Sequence, residues 1–318
     1  MNPRARLRQW WLSRLPATDT WTLTQGNIYI LPTKAGLVYA LTLLLMLLAS
    51  INYQLNLGYA LTFLLAGAGL VSMHLTHGTL RGLTLHLRPT PAVFAGDAAL
   101  LEVVLINPGS ERHGVALHFE DRATHGPSFV WTDVPAQGQA SARVSVVPPR
   151  RGLQPVPVLV IETLFPFGLF RAWTLWRPAA AVLAWPRPET PAPPLPPTRT
   201  RPDDHQPQAA RAEGAELDGV RAWRRGDSLR QVLWKKVARS GELVSRDTAG
   251  HAARELTLDW QSARGADAEQ RLSRLAAWVL AAEHEGHAYR LQLPGRELPS
   301  GRGEPQRRAA LEALALWH

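Results

Sequence analysis

The side chains best suited to bind a partner are concentrated between Gly219 and Asp247, GVRAWRRGDSLRQVLWKKVARSGELVSRD. Arg224 and Arg225 precede a Gly226-Asp227 turn, and Arg230, Lys235 and Arg239 follow it, with Trp223 and Trp234 interleaved. Guanidinium forks match carboxylate and phosphate geometry, so the cations suit acidic or anionic groups. Asp227 has two readings: it pairs with Arg230 or Arg239 and holds the turn, or it belongs to the presented surface. Bond-making chemistry is harder to place. No GxSxG, HExxH or P-loop spacing occurs. The absence of cysteine removes disulfides, thiolate metal sites and cysteine nucleophiles. His284 and His287, flanked by Glu283 and Glu285, offer two ligands at a charged helix end, which reads as solvated polar surface. Asp259 ends a strand, where α/β folds often hold ligands, but it stands alone. No catalytic, cofactor-binding or metal-ligating residue is assigned.

A turn and a helix must position the cations. Ser228 and Gln231 match a capping box, with Asp227 and Ser228 competing as N-cap, and Gly241 suits the position after the end. The helix thus runs over about Leu229 to Arg239. Leu229, Val232, Leu233 and Val237 share one side, Lys235 and Arg239 project together on another, and Lys236 must snorkel. The rest of 215–318 reads as a small α/β unit with a partly parallel sheet: strands Glu242–Ser245 and Glu255–Asp259, a helix from Ala268 to Glu285, a strand Ala288–Pro294 and a last helix in QRRAALEALALW.

Upstream, residues 186–214 form a proline-rich linker or a loop lying along the surface, since this density of proline forbids helix and inner strand. Residues 80–185 alternate in short runs between Pro- and Gly-rich turns, which predicts a β-sandwich. His113, His118 and His125 match no metal spacing and read as ordinary strand or surface residues. FPFGLFRAW, Phe165–Trp173, closes that unit or packs on the membrane side. Before it, 35–76 holds two apolar runs, Ala35–Ile51 with Thr33 as N-cap and Leu57–Leu75, each long enough to cross ~30 Å of hydrocarbon. The short Asn52–Asn56 connection makes them an antiparallel hairpin, and Ala66, Gly67, Ala68 and Gly69 permit close approach. Residues 1–34 form a basic segment.

The chain of 318 residues carries a formal net charge of +9, which suits lipid headgroups, nucleic acid or an acidic protein. Arg4, Arg6, Arg8, Arg14 and Lys34 precede the hairpin, Arg81 and Arg88 follow it, and its loop has no cation. The positive-inside rule then puts both termini in the cytoplasm, in a multi-pass protein of a bacterial inner membrane.

Trp223, Gly226, Asp227, Arg230, Trp234, Lys235, Ala238 and Arg239, followed by Leu243-Val244, resemble the signature of the bacterial family known as domain of unknown function 58. Trp223 stands for its usual tyrosine and Arg225 for a common proline. NIYILPTKAG, the hairpin and PFGLF also look like short members, so the resemblance covers most of the chain. It implies association with MoxR-type AAA+ ATPases and a degenerate von Willebrand factor A-like C-terminal unit. The metal motif of that fold, D-x-S-x-S, meets Asp259-Trp260-Gln261-Ser262-Ala263 here, so the hydroxyl ligands for Mg²⁺ are missing.

The expected protein is therefore a membrane helical hairpin plus an α+β part, acting as a non-enzymatic adaptor or scaffold. It would dock a MoxR-type AAA+ ATPase or another envelope-assembly partner through Trp223, Arg224, Gly226, Asp227, Arg230, Trp234, Lys235 and Arg239. Binding to anionic lipid or nucleic acid through the same cations is the alternative, and a hydrolase of cell-wall or peptide substrates is a second.

Overall fold

The computed structural model describes residues 15–121, 129–197 and 256–317, and the backbone of 220–222 and 244–246. Two helices form a hairpin near the N-terminus: α1, Lys34–Tyr53, and α2, Asn56–Leu80. Thr33 caps α1 as its position suggests, its hydroxyl accepting from the Gly36 N–H at 3.1 Å. Gln54 ends α1 in the left-handed conformation, φ 49°, and turns the chain straight into α2. The close approach is narrower than the small-residue run implies. Gly69 faces the Tyr39 ring, whereas nothing lies near Gly67. The Tyr39 hydroxyl donates to the Leu65 carbonyl at 2.6 Å, and at the tip a Cβ on Gly58 would collide with the Ser50 hydroxyl. Both helices are long and apolar enough to cross a membrane. A core helix of a globular protein would be mostly buried, yet only 11% and 17% of their most apolar stretches are. Leu37, Leu41, Leu44, Leu45 and Leu48 of α1 and Leu57, Phe63, Leu64 and Leu70 of α2 all face outward.

The β-rich part begins before the hairpin and resumes after it. One sheet has the order β1-β3-β5-β8, with β1 Thr20–Thr22, β3 Thr84–Leu87, β5 Ala99–Asn107 and β8 Gly138–Val146. The facing sheet has the order β2-β11-β10-β6-β7, with β2 Tyr29–Pro32, β6 Arg112–Phe119, β7 Val130–Val134, β10 Leu159–Thr163 and β11 Phe170–Trp176. A third small sheet, β4-β12-β9, joins Val93–Phe94, Ala181–Trp185 and Gly152–Pro155. Alternation builds the core: Leu101, Val103 and Leu105 of β5 meet Val115, Leu117, Leu159 and Ile161 of the other sheet, all fully buried. The Asn107-Pro108-Gly109 turn closes as such turns do. The Asn107 side chain accepts from the Gly109 N–H at 3.0 Å and donates to the Ser110 and Pro135 carbonyls at 2.7 and 2.9 Å.

No linker separates hairpin from sheets. Only Thr33 lies between β2 and α1, and the last turns of α2 pack on β6, β10 and β11, with Leu80 in the core itself.

The chain divides into two compact units between Arg187 and Pro188, with Ala315–His318 grouped with the first. In the second unit, β15 (Leu256–Asp259), α3 (Ala268–His284), β16 (Tyr289–Leu293) and α4 (Glu304–Ala315) lie within a few residues of where the pattern places them. β15 and β16 are parallel, the right partners for a crossover helix. An additional strand, β17 (Arg296–Gly301), pairs antiparallel with β16. The proline-rich stretch does not start as a free spacer. The Glu189 N–H bonds the Ser273 carbonyl at 3.1 Å, its carboxylate forks onto Arg274 at 2.8 and 3.0 Å, and the Trp278 indole donates to the Pro194 carbonyl at 2.9 Å. Residues 188–197 thus lie along α3, held through both a backbone donor at Glu189 and a carbonyl acceptor at Pro194.

Candidate functional site

Trp223, Arg224, Gly226, Asp227, Arg230, Trp234, Lys235 and Arg239 lie outside the described residues. What is described is the base of that stretch. β13, Val220–Ala222, pairs antiparallel with β14, Val244–Arg246, in the register Val220↔Arg246 and Ala222↔Val244. The chain from Trp223 to Leu243 therefore leaves and returns through one two-stranded ladder. The second strand falls on the predicted Glu242–Ser245 run. The first gives only the three-residue alternation Val220-Arg221-Ala222, too short to stand out.

The other sequence candidates have structural occupations. The Asp259 carbonyl accepts from the Ser262 N–H, the Ala263 N–H and the Ser262 hydroxyl at 3.1, 3.1 and 2.7 Å, closing the turn after β15. Trp260 lies under the Arg271 guanidinium, 5.5 Å from ring centroid. Glu283 accepts from the Gly303 N–H at 3.1 Å, and His287 pairs with Glu285 at 3.1 Å on the surface. Among the described residues no group of three or more His, Asp or Glu is arranged to hold a metal.

Two constellations that sequence reading did not assemble are formed by the sheet β2-β11-β10-β6-β7. The first is buried and charged. Glu162 of β10 accepts from the Arg171 Nε at 2.7 Å and from its Nη2, and lies 3.4 Å from His118 Nε2. His118 Nδ1 faces the Phe119 carbonyl at 2.8 Å. The Phe129 ring meets the imidazole tilted at 55°, centroids 4.6 Å apart, and Arg171 lies over Trp173 at 5.7 Å. Burial pushes the Glu162 carboxyl up, but hydrogen bonds from His118 and Arg171, and the Arg171 charge, outweigh it and hold the pKa below the usual carboxylate value. Both imidazole nitrogens face oxygens of the protein, so the His-Glu pair has no nitrogen turned to a substrate. The cluster ties three adjacent strands together, which is a structural task.

The second constellation joins hairpin and sheets. β2 pairs with β11, Leu31↔Arg171 and Pro32↔Phe170, so NIYILPTKAG and PFGLF are neighbours in space. The Thr33 hydroxyl donates to the Gly168 and Leu169 carbonyls at 2.6 and 3.2 Å, and its N–H to Leu169 at 2.9 Å. Gly36 is glycine for a visible reason: a Cβ would collide with the Leu169 carbonyl oxygen. Around this junction Tyr29, Leu31, Phe165 and Phe167 are exposed, and the Tyr29 and Trp173 rings lie tilted against each other with centroids 5.0 Å apart. The arrangement is an apolar and aromatic rim at the foot of the helices. Individually these residues were legible, but the rim depends on pairing across a sequence separation of 135 residues.

No family model matches this chain, and no curated protein matches it.

Proposed function

We propose that this protein is a non-enzymatic adaptor or scaffold of a bacterial inner membrane, anchored by α1 and α2. One observation carries the reading: an outward-facing apolar helical hairpin fused without a linker to a rigid β-rich unit. Each leucine left in water forfeits about 1.5–3 kcal/mol relative to burial, so surfaces of this extent require lipid or a partner. The cations flanking the hairpin and absent from its loop favour cytoplasmic termini. The motif from Trp223 to Arg239 supports membership of the family known as domain of unknown function 58, and with it a MoxR-type AAA+ ATPase as partner and a degenerate von Willebrand factor A-like second unit.

The test is co-purification from membranes. Replacing Arg224, Lys235 and Arg239 together by alanine should abolish recovery of the partner while the protein stays folded and membrane-bound. Undiminished recovery would remove the docking role of the motif.

A further inference from the structure

We propose that the turn over 164–169 is a second membrane-contacting element. Phe165 and Phe167 enter the boundary between headgroups and acyl chains of the bilayer that α1 and α2 cross. The inference rests on the spanning reading above and adds a contact which that reading does not require.

Depth is the first argument. α1 has 20 residues. At 1.5 Å per residue it measures ~30 Å, about the thickness of the hydrocarbon core. A helix with no length to spare must keep its first turn at the hydrocarbon boundary. That first turn is where the loop is attached, through Thr33 to the Gly168 and Leu169 carbonyls and through the contact of Gly36 with Leu169. The loop backbone therefore sits within one helical turn of the boundary and cannot move from it without breaking the N-cap.

Composition and exposure are the second. Phe167 is 65% exposed and Phe165 39%, the latter touched by the His113 ring at 5.4 Å. Leu31 and Tyr29 continue the apolar rim along β2 toward α1, and Trp173 with Arg171 above it follows on β11. Exposed aromatic rings at this depth are what the headgroup layer accommodates. The exposed apolar side chains of α1 begin at Leu37, one turn into the helix that the loop holds by its cap. A protein partner would need to share that space with lipid, so the bilayer is the occupant the geometry favours.

The absence of cysteine makes a clean test possible. Single cysteines at Phe165, Leu44 and Val147 carry a small fluorophore in the full-length protein, reconstituted in phosphatidylethanolamine–phosphatidylglycerol vesicles. Leu44 lies in the middle of α1. Val147 follows the end of β8 remote from the loop, since Gly138 pairs with Asn107 and Val146 with Ala99. Lipids bearing a nitroxide near the headgroup should quench the probe at Phe165→Cys and not that at Val147→Cys, while nitroxides deep in the chain quench Leu44→Cys. Adding Phe167→Asp to Phe165→Cys should abolish its quenching and leave Leu44→Cys unchanged. Quenching at Leu44 without quenching at Phe165, or quenching that survives Phe167→Asp, overturns the insertion and leaves the spanning helices standing. No quenching at Leu44 overturns the spanning reading itself, and this inference with it.

Discussion

Glu162 is a buried charge of the β-rich unit. It is 5% exposed and has Arg171 and His118 as partners, so removing its charge strands a guanidinium against a sheet. Glu162→Gln should lower stability by about 1–3 kcal/mol, less than for a fully buried pair because the Arg171 side chain is partly hydrated. Thermal unfolding of the full chain in detergent measures it. The sign with pH follows from the lowered pKa. The carboxylate contributes stability above the unfolded-state pKa and loses it as pH falls through the lower folded value. Acid destabilisation should therefore be shallower in Glu162→Gln than in the parent, and parallel curves would show that the pair is not responsible. None of this was legible in sequence. His118 alternates as a strand residue should, but its partner Glu162 is 44 positions away. Alternation assigns a face, not the neighbours on that face.

At the level of elements the sequence was most informative where local chemistry decides. Thr33 caps α1, Gly286 follows α3 with φ 70°, and Leu272, Leu275, Ala276 and Val279 are buried as their spacing requires. It was least informative where a contact is long-range. Phe165–Trp173 reads as a strand closing the unit or as packing on the membrane side, and in the fold its first residues form the turn that receives the α1 cap while its last belong to β11, which begins at Phe170. Gly36→Ala tests that junction. The added methyl meets backbone that cannot step aside, so the substitution should cost about 1–3 kcal/mol and speed proteolysis at the 164–169 turn. Gly67→Ala, which meets nothing, should leave both unchanged. Equal behaviour of the two variants would show that the cap and turn are not coupled.

For the molecule as a whole, the decisive quantity is which side of the bilayer each part occupies. Cysteines at Gln25, Gln54 and Arg302, all exposed, report it. In intact spheroplasts a membrane-impermeant maleimide should label Gln54→Cys alone, with the other two labelled only after permeabilisation. Labelling of Gln25→Cys or Arg302→Cys without permeabilisation would reverse the assigned orientation. Charge at the hairpin ends made this expectation readable from sequence, because topology follows local cations rather than tertiary packing. The stretch from Trp223 to Arg239 offers a contrast. Its residues could be named, yet only the ladder at its base is described.

The direct joints between sheets and helices have a mechanical consequence. β2 passes into α1 through one residue, and α2 ends inside the core of the sheets. Two stiff struts fixed to one block leave no swivel between them. Any tilt of the hairpin in a membrane becomes an equal tilt of the β-rich unit, and any pull on that unit is borne by the helices rather than absorbed by slack chain. On the proposed reading, a partner that grips the β-rich unit is thereby gripping the anchor.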